Sequence, residues 1–339
     1  MPATDRQGAA RAQQQGTSNM NRRSLIAVAA ALPFLPLPRP AGAAGALPGL
    51  NILVPAAPGG GWDGLGRAIE HVATQAGLVG RFQFENLPGG AGTVGLARFV
   101  TQRRGKADSL LVAGSSVVGS AIASKSPVSL KDVVPVARLT EEAAVIVVPA
   151  NSEFRDIRQF AEALRAEPRG IPIAGAGGGT VDHVVLCLLF KALGRKALEA
   201  QFVSFPGGGA TQSAVIGAQV KAAVAGWSEF SEQMAAGRVR ALATSGTRRL
   251  HPDVPTLRES GYDVTTTNWR GIFAAPGVPA ASQRTLVDFV TALHATPAWA
   301  ELLKTRGWDD AFLTGQDFAA FVAKDQADTE SVLKELGLA

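Results

Sequence analysis

The chain has 339 residues, enough for one large or two medium domains, and its 46% hydrophobic and 18% charged content fits a compact globular protein rather than a disordered one. A formal net charge of +5 first suggests nucleic acid, but five of the 33 basic residues and one of the 28 acids precede Ala44. The remainder carries 28 bases against 27 acids, a nearly neutral body that excludes a nucleic-acid partner on grounds of charge.

The N-terminal segment reads as an export signal. Asn21-Arg22-Arg23-Ser24 precedes an apolar run from Leu25 to Leu37, and Ala41-Gly42-Ala43 supplies small residues for cleavage. The run is broken by prolines and falls short of the roughly 20 residues of a membrane span. A cleavable signal peptide, twin-arginine or general secretory, is expected over residues 1–46, with release after Ala43 or Ala46, Met20 as an alternative start, and a periplasmic mature protein. Cys187 is the only cysteine, so no intrachain disulfide can form; its apolar surroundings, Val184 to Phe190, suit a buried thiol.

Taken in order, the body alternates short apolar runs with amphipathic ones. Ile52 to Val54 reads as a strand, Pro55 to Gly61 as a glycine loop, and the stretch with Leu65, Ile69 and Val72 as a helix capped by Asp63. Phe82 to Glu85 is a second strand, Val94 to Arg103 a helix, and Leu110 to Ala113 a strand ending at Gly114-Ser115-Ser116. Val145 to Val148 is another strand. Ser152 is expected to cap a helix with Phe154, Ile157, Phe160, Ala161 and Leu164 on one face. Ile173-Ala174 leads into a second glycine loop, Gly175 to Thr180, and then a helix with His183 and Cys187. Phe202 to Phe205 leads into a third loop, Pro206 to Gly209, and a helix near Thr211 to Ile216. Lys221 to Ala225, Val239 to Ala243 and Trp269 to Ala274 are further strands, Arg248 to Tyr262 a loop with one short helix, and two helices near Ser282 to His294 and Gly315 to Leu336 close the chain. The alternation predicts an α/β fold with a mostly parallel sheet.

Three loops of the form strand, glycines, helix start present bare N–H groups and positive helix ends, which favours an anion. Catalytic signals are weak beside this. Gly90-Ala91-Gly92-Thr93-Val94-Gly95 matches a dinucleotide fingerprint, but Pro88-Gly89 lengthens its turn and the next strand ends in Gly114-Ser115 where a ribose-binding acid is needed. No Gly-Lys-Ser/Thr triplet follows a glycine loop, Gly-x-Ser-x-Gly is absent, and His71, His251 and His294 are scattered. His183 and Cys187 share a helix face, which reads as a buried thiol near a helix-start histidine rather than a dyad. No catalytic residue, metal or cofactor is therefore assigned. Asp63 is a helix cap compatible with ligand contact, and Trp62, a bulky ring inside a glycine loop, reads as a pocket wall.

The ordered motifs carry a resemblance. Val54-Pro55-x-x-Pro58-Gly59-Gly60-Gly61-Trp62-Asp63, Glu85-Asn86-Leu87-Pro88-Gly89-Gly90-Ala91-Gly92, Gly177-Gly178-Gly179-Thr180 with His183, Phe205-Pro206-Gly207-Gly208-Gly209-Ala210, Arg249 with Pro252 to Leu257 and Glu259-x-Gly261-Tyr262, and Trp269-x-Gly271 to Pro276 together resemble the solute receptors of tripartite tricarboxylate transporters, the Bug proteins, from about Leu50 to the C-terminus. The resemblance implies a non-catalytic, monomeric extracytoplasmic receptor of the two-lobed periplasmic-binding-protein type. Its lobes close over a small di- or tricarboxylate, held mainly by loop amides and ordered water, for delivery to a membrane permease. Lobe one is expected to hold residues 47–147 and 268–339, lobe two residues 148–267. The expected ligand-binding set is Gly59, Gly60, Gly61, Trp62, Asp63, Ser115, Gly178, Gly179, Thr180, His183, Gly207, Gly208, Gly209 and Ala210, an anion site without a dedicated arginine. Gly208→Val is expected to weaken carboxylate binding far more than it lowers stability, provided that loop is exposed in the open form. Two departures bear on ligand identity: Phe205-Pro206 stands where many relatives carry Tyr-Lys, and Val181-Asp182 lengthens the spacing between Thr180 and His183. The alternative is an exported α/β enzyme acting on a small anion.

Overall fold

A computed structural model describes residues 47–339; the signal peptide expected before Leu47 lies outside the described residues. The first half of the fold begins with β1 (Leu50–Val54), α1 (Gly61–Gln75), β2 (Phe82–Asn86), α2 (Thr93–Gln102), β3 (Ser109–Gly114), α3 (Ser115–Ala123) and β4 (Val134–Glu142). The chain then runs through β5 (Ala144–Pro149), α4 (Ile157–Ala166), β6 (Ile173–Gly175), α5 (Val181–Ala192), β7 (Phe202–Ser204), α6 (Gly208–Ile216), β8 (Ala222–Gly226), α7 (Trp227–Ala235) and β9 (Val239–Thr244). It closes with β10 (Asn268–Ala274), α8 (Ala280–His294), α9 (Pro297–Arg306), β11 (Asp309–Thr314) and α10 (Gly315–Glu335). Among the described residues no helix is long and apolar enough to cross a membrane.

The strands form two sheets. The first has the order β11-β4-β10-β3-β1-β2 and the second the order β7-β6-β8-β5-β9. Each is mixed rather than mostly parallel. β1 runs parallel to β2 and β3, whereas β10 is antiparallel to both β3 and β4, and β5 is antiparallel to β8 and β9. These antiparallel pairs arise where the chain changes sheet. β4 ends at Glu142 and β5 starts at Ala144, so the crossover falls on Ala143, a few residues before the boundary expected at Val147. The return passes through the segment between β9 and β10.

Periodicity explains the packing. In α1, Leu65, Ile69 and Val72 recur at helical spacing and are almost fully buried against the first sheet. In β5, Ala144, Ile146 and Val148 face one core of the second sheet while Val145 and Val147 face the other. Such a strand, covered on both sides, must be apolar throughout. Two local expectations are corrected. The helix after β5 starts at Ile157, because Asp156 accepts from the N–H groups of Arg158 and Gln159, while Ser152 only supports the N–H of Phe154. No helix forms between Arg248 and Tyr262. α3, β4, α7, α9 and β11 are elements the sequence pattern did not single out.

Candidate ligand-binding cleft

The three glycine loops and the β2–α2 connection converge on one cleft of about 550 Å³, lined from both sheets. The loop after β1 meets the loop after β7 across it: a Cβ at Gly60 would lie 3.2 Å from the Gly208 nitrogen, and one at Gly209 would lie 3.0 Å from the Pro58 carbonyl oxygen. The second loop meets the β2–α2 connection in the same way, with a Cβ at Gly177 only 2.6 Å from that of Ala91. Glycine is required where two backbones approach this closely.

The expected site residues divide. Gly60, Gly61, Trp62, Gly178, Thr180, Gly207 and Gly208 line the cleft. The N–H groups of Gly60, Gly61, Gly178 and Gly208 have no hydrogen-bond partner among the described residues, so they are free to meet an anion. Gly59, Asp63, Ser115, Gly179, His183, Gly209 and Ala210 are not among its lining residues. Most of these shape it from behind. Asp63 sits in the first turn of α1, whose N-cap is Gly60, so it is not the cap itself. Its Oδ2 accepts from the Gly59 N–H at 3.1 Å and its Oδ1 from Asn86 Nδ2 at 3.0 Å, which ties the first loop to β2. His183 Nδ1 accepts from the Gly179 N–H at 3.1 Å, and the ring stacks on Phe202; burial holds its pKa below the ordinary value, consistent with a neutral acceptor. Ser115 Oγ donates to Asn268 Oδ1 at 3.0 Å and so orients an amide that does line the cleft. Cys187 is buried, its thiol pushed up to about 12 by burial.

Sequence reasoning missed the charged floor. Arg270 on β10 is 1% exposed and lines the cleft, so the anion site does not lack an arginine after all. It is ion-paired with Glu142 at the end of β4 and reaches Glu229 on α7 at 3.4 Å, a pair that links the two sheets. Glu142 Oε2 also accepts from the Ser228 N–H at 2.8 Å. Gly61 is glycine because a Cβ there would fall 2.2 Å from the guanidinium. Asp182, in the first turn of α5, accepts from the Ala176 N–H at 2.9 Å. Burial pushes Asp182 up to about 6, against the Ala176 hydrogen bond and Arg270, and pushes Glu229 up to about 7, against Arg270. Burial also works against the Arg270 charge, yet its carboxylate neighbours hold its pKa above the ordinary value.

The sequence carried one available signal for this cluster. Arg270 stands inside an apolar strand, and a charge in such a strand must find partners. A second correction concerns Gly208, which is buried rather than exposed: a Cβ there would sit 1.7 Å from Glu229 Oε2. The glycines of the supposed dinucleotide fingerprint, Gly90 and Gly92, also line this cleft, as do Ser116, Ser120 and Ser124 at the start and end of α3. Among the described residues no three His, Cys, Asp or Glu groups are placed to hold a metal ion.

Comparison with known proteins fits this geometry. The model of the tripartite tricarboxylate transporter family receptor matches residues 81–338. A UPF0065 protein from the tcbD-tcbE intergenic region of a Pseudomonas species is 30% identical over 264 residues, covering 75% of this chain and 76% of its own. The periplasmic binding protein BugD superposes with a TM-score of 0.77 at 23% identity, over 86% of this chain and 98% of its own. MatC from Rhodopseudomonas palustris, solved with bound malate, superposes with a TM-score of 0.73 at 25% identity, over 84% and 98%. Both structures share the two-lobed fold of periplasmic binding proteins. With the family model spanning most of the sequence and the glycine loops gathered at one cleft, the chain belongs to the tripartite tricarboxylate transporter receptor family, a family of solute-binding proteins rather than enzymes.

Proposed function

We propose that this protein is an extracytoplasmic receptor that captures a small carboxylate between two lobes and delivers it to the membrane permease of a tripartite transporter. The lobes correspond to the two sheets, hinged at Ala143 and at the segment between β9 and β10. The observation that carries the reading is the convergence of free N–H groups from both sheets, Gly60 and Gly61 from one and Gly178 and Gly208 from the other, on a single cleft. The starts of α1, α5 and α6 add their positive ends to it, each contributing up to about 2 kcal/mol toward an anion in a partly buried site. Closure removes water and strengthens each charge-assisted hydrogen bond. The malate in MatC supports a carboxylate as the ligand class. The reading includes export by the N-terminal signal and action as a monomer.

A thermal-shift screen of di- and tricarboxylates on the mature protein tests it, because a ligand that binds only the folded state raises the melting temperature with concentration. A saturable rise with at least one carboxylate is expected. No rise with any of them, at concentrations well above those of a working receptor, would overturn the reading.

A further inference from the structure

The charge balance of the cleft is unusual for a site that receives an anion. Arg270 is the only basic residue among those lining it, and Glu142 behind it already forms its ion pair. Asp182 and Glu229 also line the cleft, which leaves one guanidinium against three carboxyl groups. Glu229 Oε1 is engaged by the Gly226 N–H and Arg270, but its Oε2 has no hydrogen-bond partner among the described residues and stands at the Gly60–Gly208 contact. Asn268 Oδ1 is occupied by Ser115, which leaves its Nδ2 free. Uncharged donors stand on the wall as well: the Ser116 hydroxyl, which accepts from the Val181 N–H and keeps its own proton free, and the N–H of Gly178, whereas Ser120 and Ser124 already donate to backbone carbonyl oxygens.

Resting on the reading that the cleft receives a carboxylate, we propose that it selects a carboxylate whose other end is a primary ammonium, an ω-amino carboxylate, over a dicarboxylate of the same length. The ammonium meets Glu229 Oε2 and Asp182, and the carboxylate meets the Ser116 hydroxyl and the Gly178 N–H. A dicarboxylate instead places a second negative charge beside two carboxyl groups that one already-paired guanidinium does not balance, and like charges at close range in a partly buried site repel strongly. A zwitterion removes that repulsion and supplies donors to the free acceptor. The pKa values fit a floor awaiting a cation: with Arg270 and Glu142 as its near neighbours, Glu229 is half protonated near neutrality, and Asp182 just below it. A metal ion is a poorer occupant, since among the described residues no three ligating side chains converge.

Calorimetry at pH 8 on the mature protein tests the proposal with matched pairs: adipate against 6-aminohexanoate, glutarate against 5-aminopentanoate, and succinate against 4-aminobutanoate. The amino carboxylate of the best pair should bind at least about tenfold more tightly, the scale of one favourable charge pairing in a partly buried site. Glu229→Gln, nearly isosteric, should shrink that ratio, and Asp182→Asn gives an independent reading should the first variant fold poorly. If the dicarboxylates bind as tightly as or more tightly than their partners at pH 8, or if both variants leave the ratio unchanged, the selectivity is refuted while the carboxylate reading stands. If neither member of any pair binds, and no other carboxylate does, both fail together.

Discussion

Gly178 separates binding from stability more cleanly than any other glycine of the cleft. It is exposed, lines the cleft, lies outside the left-handed backbone region, and a Cβ built there meets nothing within 4 Å. Gly178→Val should therefore leave unfolding within about 0.5 kcal/mol of the wild type, as for an ordinary surface change. The new side chain stands in the cleft and keeps a carboxylate from the Gly178 N–H. One lost charge-assisted hydrogen bond costs about 1.5–3 kcal/mol, which weakens affinity about 10- to 150-fold. Gly208→Val behaves differently: its Cβ collides with a Glu229 carboxylate held by Arg270 and the Gly226 N–H. It should lose about 1–3 kcal/mol of stability by overpacking as well as affinity. Calorimetry with the best ligand, alongside urea unfolding of both variants, reads the two effects. A Gly178→Val protein that binds as tightly as wild type would refute the role of the second loop.

Asp63→Asn should destabilise by about 1–3 kcal/mol in urea unfolding, since an amide must present a donor to either Gly59 or Asn86, with a smaller effect on affinity because Asp63 is not a lining residue. Arg270→Met leaves Glu142 buried without its counter-charge and should cost about 3–5 kcal/mol; adding Glu142→Gln should recover much of that, which thermal unfolding of the single and double variants checks. The pH dependence has a definite sign. Glu229 ordinarily titrates near 4.5 and stands at about 7 in the fold, and Asp182 moves from 3.8 to about 6. Across that window the native state holds more protons than the unfolded state, so these groups make the protein more stable as pH falls from about 8 to about 5, by up to about 3 kcal/mol for Glu229. Thermal unfolding over that range should show Glu229→Gln with a flatter profile than wild type; an unchanged difference between the two at every pH would remove the assigned burial effect.

Local chemistry made part of the fold legible. The β1–α1 unit, the three glycine loops and the helical stripes of α1 and α4 follow from apolar spacing and from residues that only turns tolerate. What escaped had weak local signals. α3 is built of small residues, Ser115 to Ala123, nearly all buried, with no polar face to mark a period. β4 carries Pro135, Arg138 and two glutamates, because it lies between β10 and β11, and its charges find partners only in the folded chain. The sheet directions were missed because antiparallel entry of β5 and β10 depends on where the chain crosses between sheets, which no local window contains. The cleft shows the same limit. Its backbone donors lie in contiguous motifs and were readable, but Glu142, Asp182, Glu229 and Arg270 are scattered over 129 positions and meet only through both sheets.

The central claim, that carboxylate capture uses both sheets at once, is tested most directly by a crystal structure of the mature protein with the best ligand from the screen. The account predicts a ligand carboxylate within hydrogen-bond distance of donors from both sides of the cleft, the Gly60 or Gly61 N–H or the Ser116 hydroxyl on one and the Gly178 or Gly208 N–H on the other. A ligand bound outside the cleft, or touching one side of it only, would contradict it.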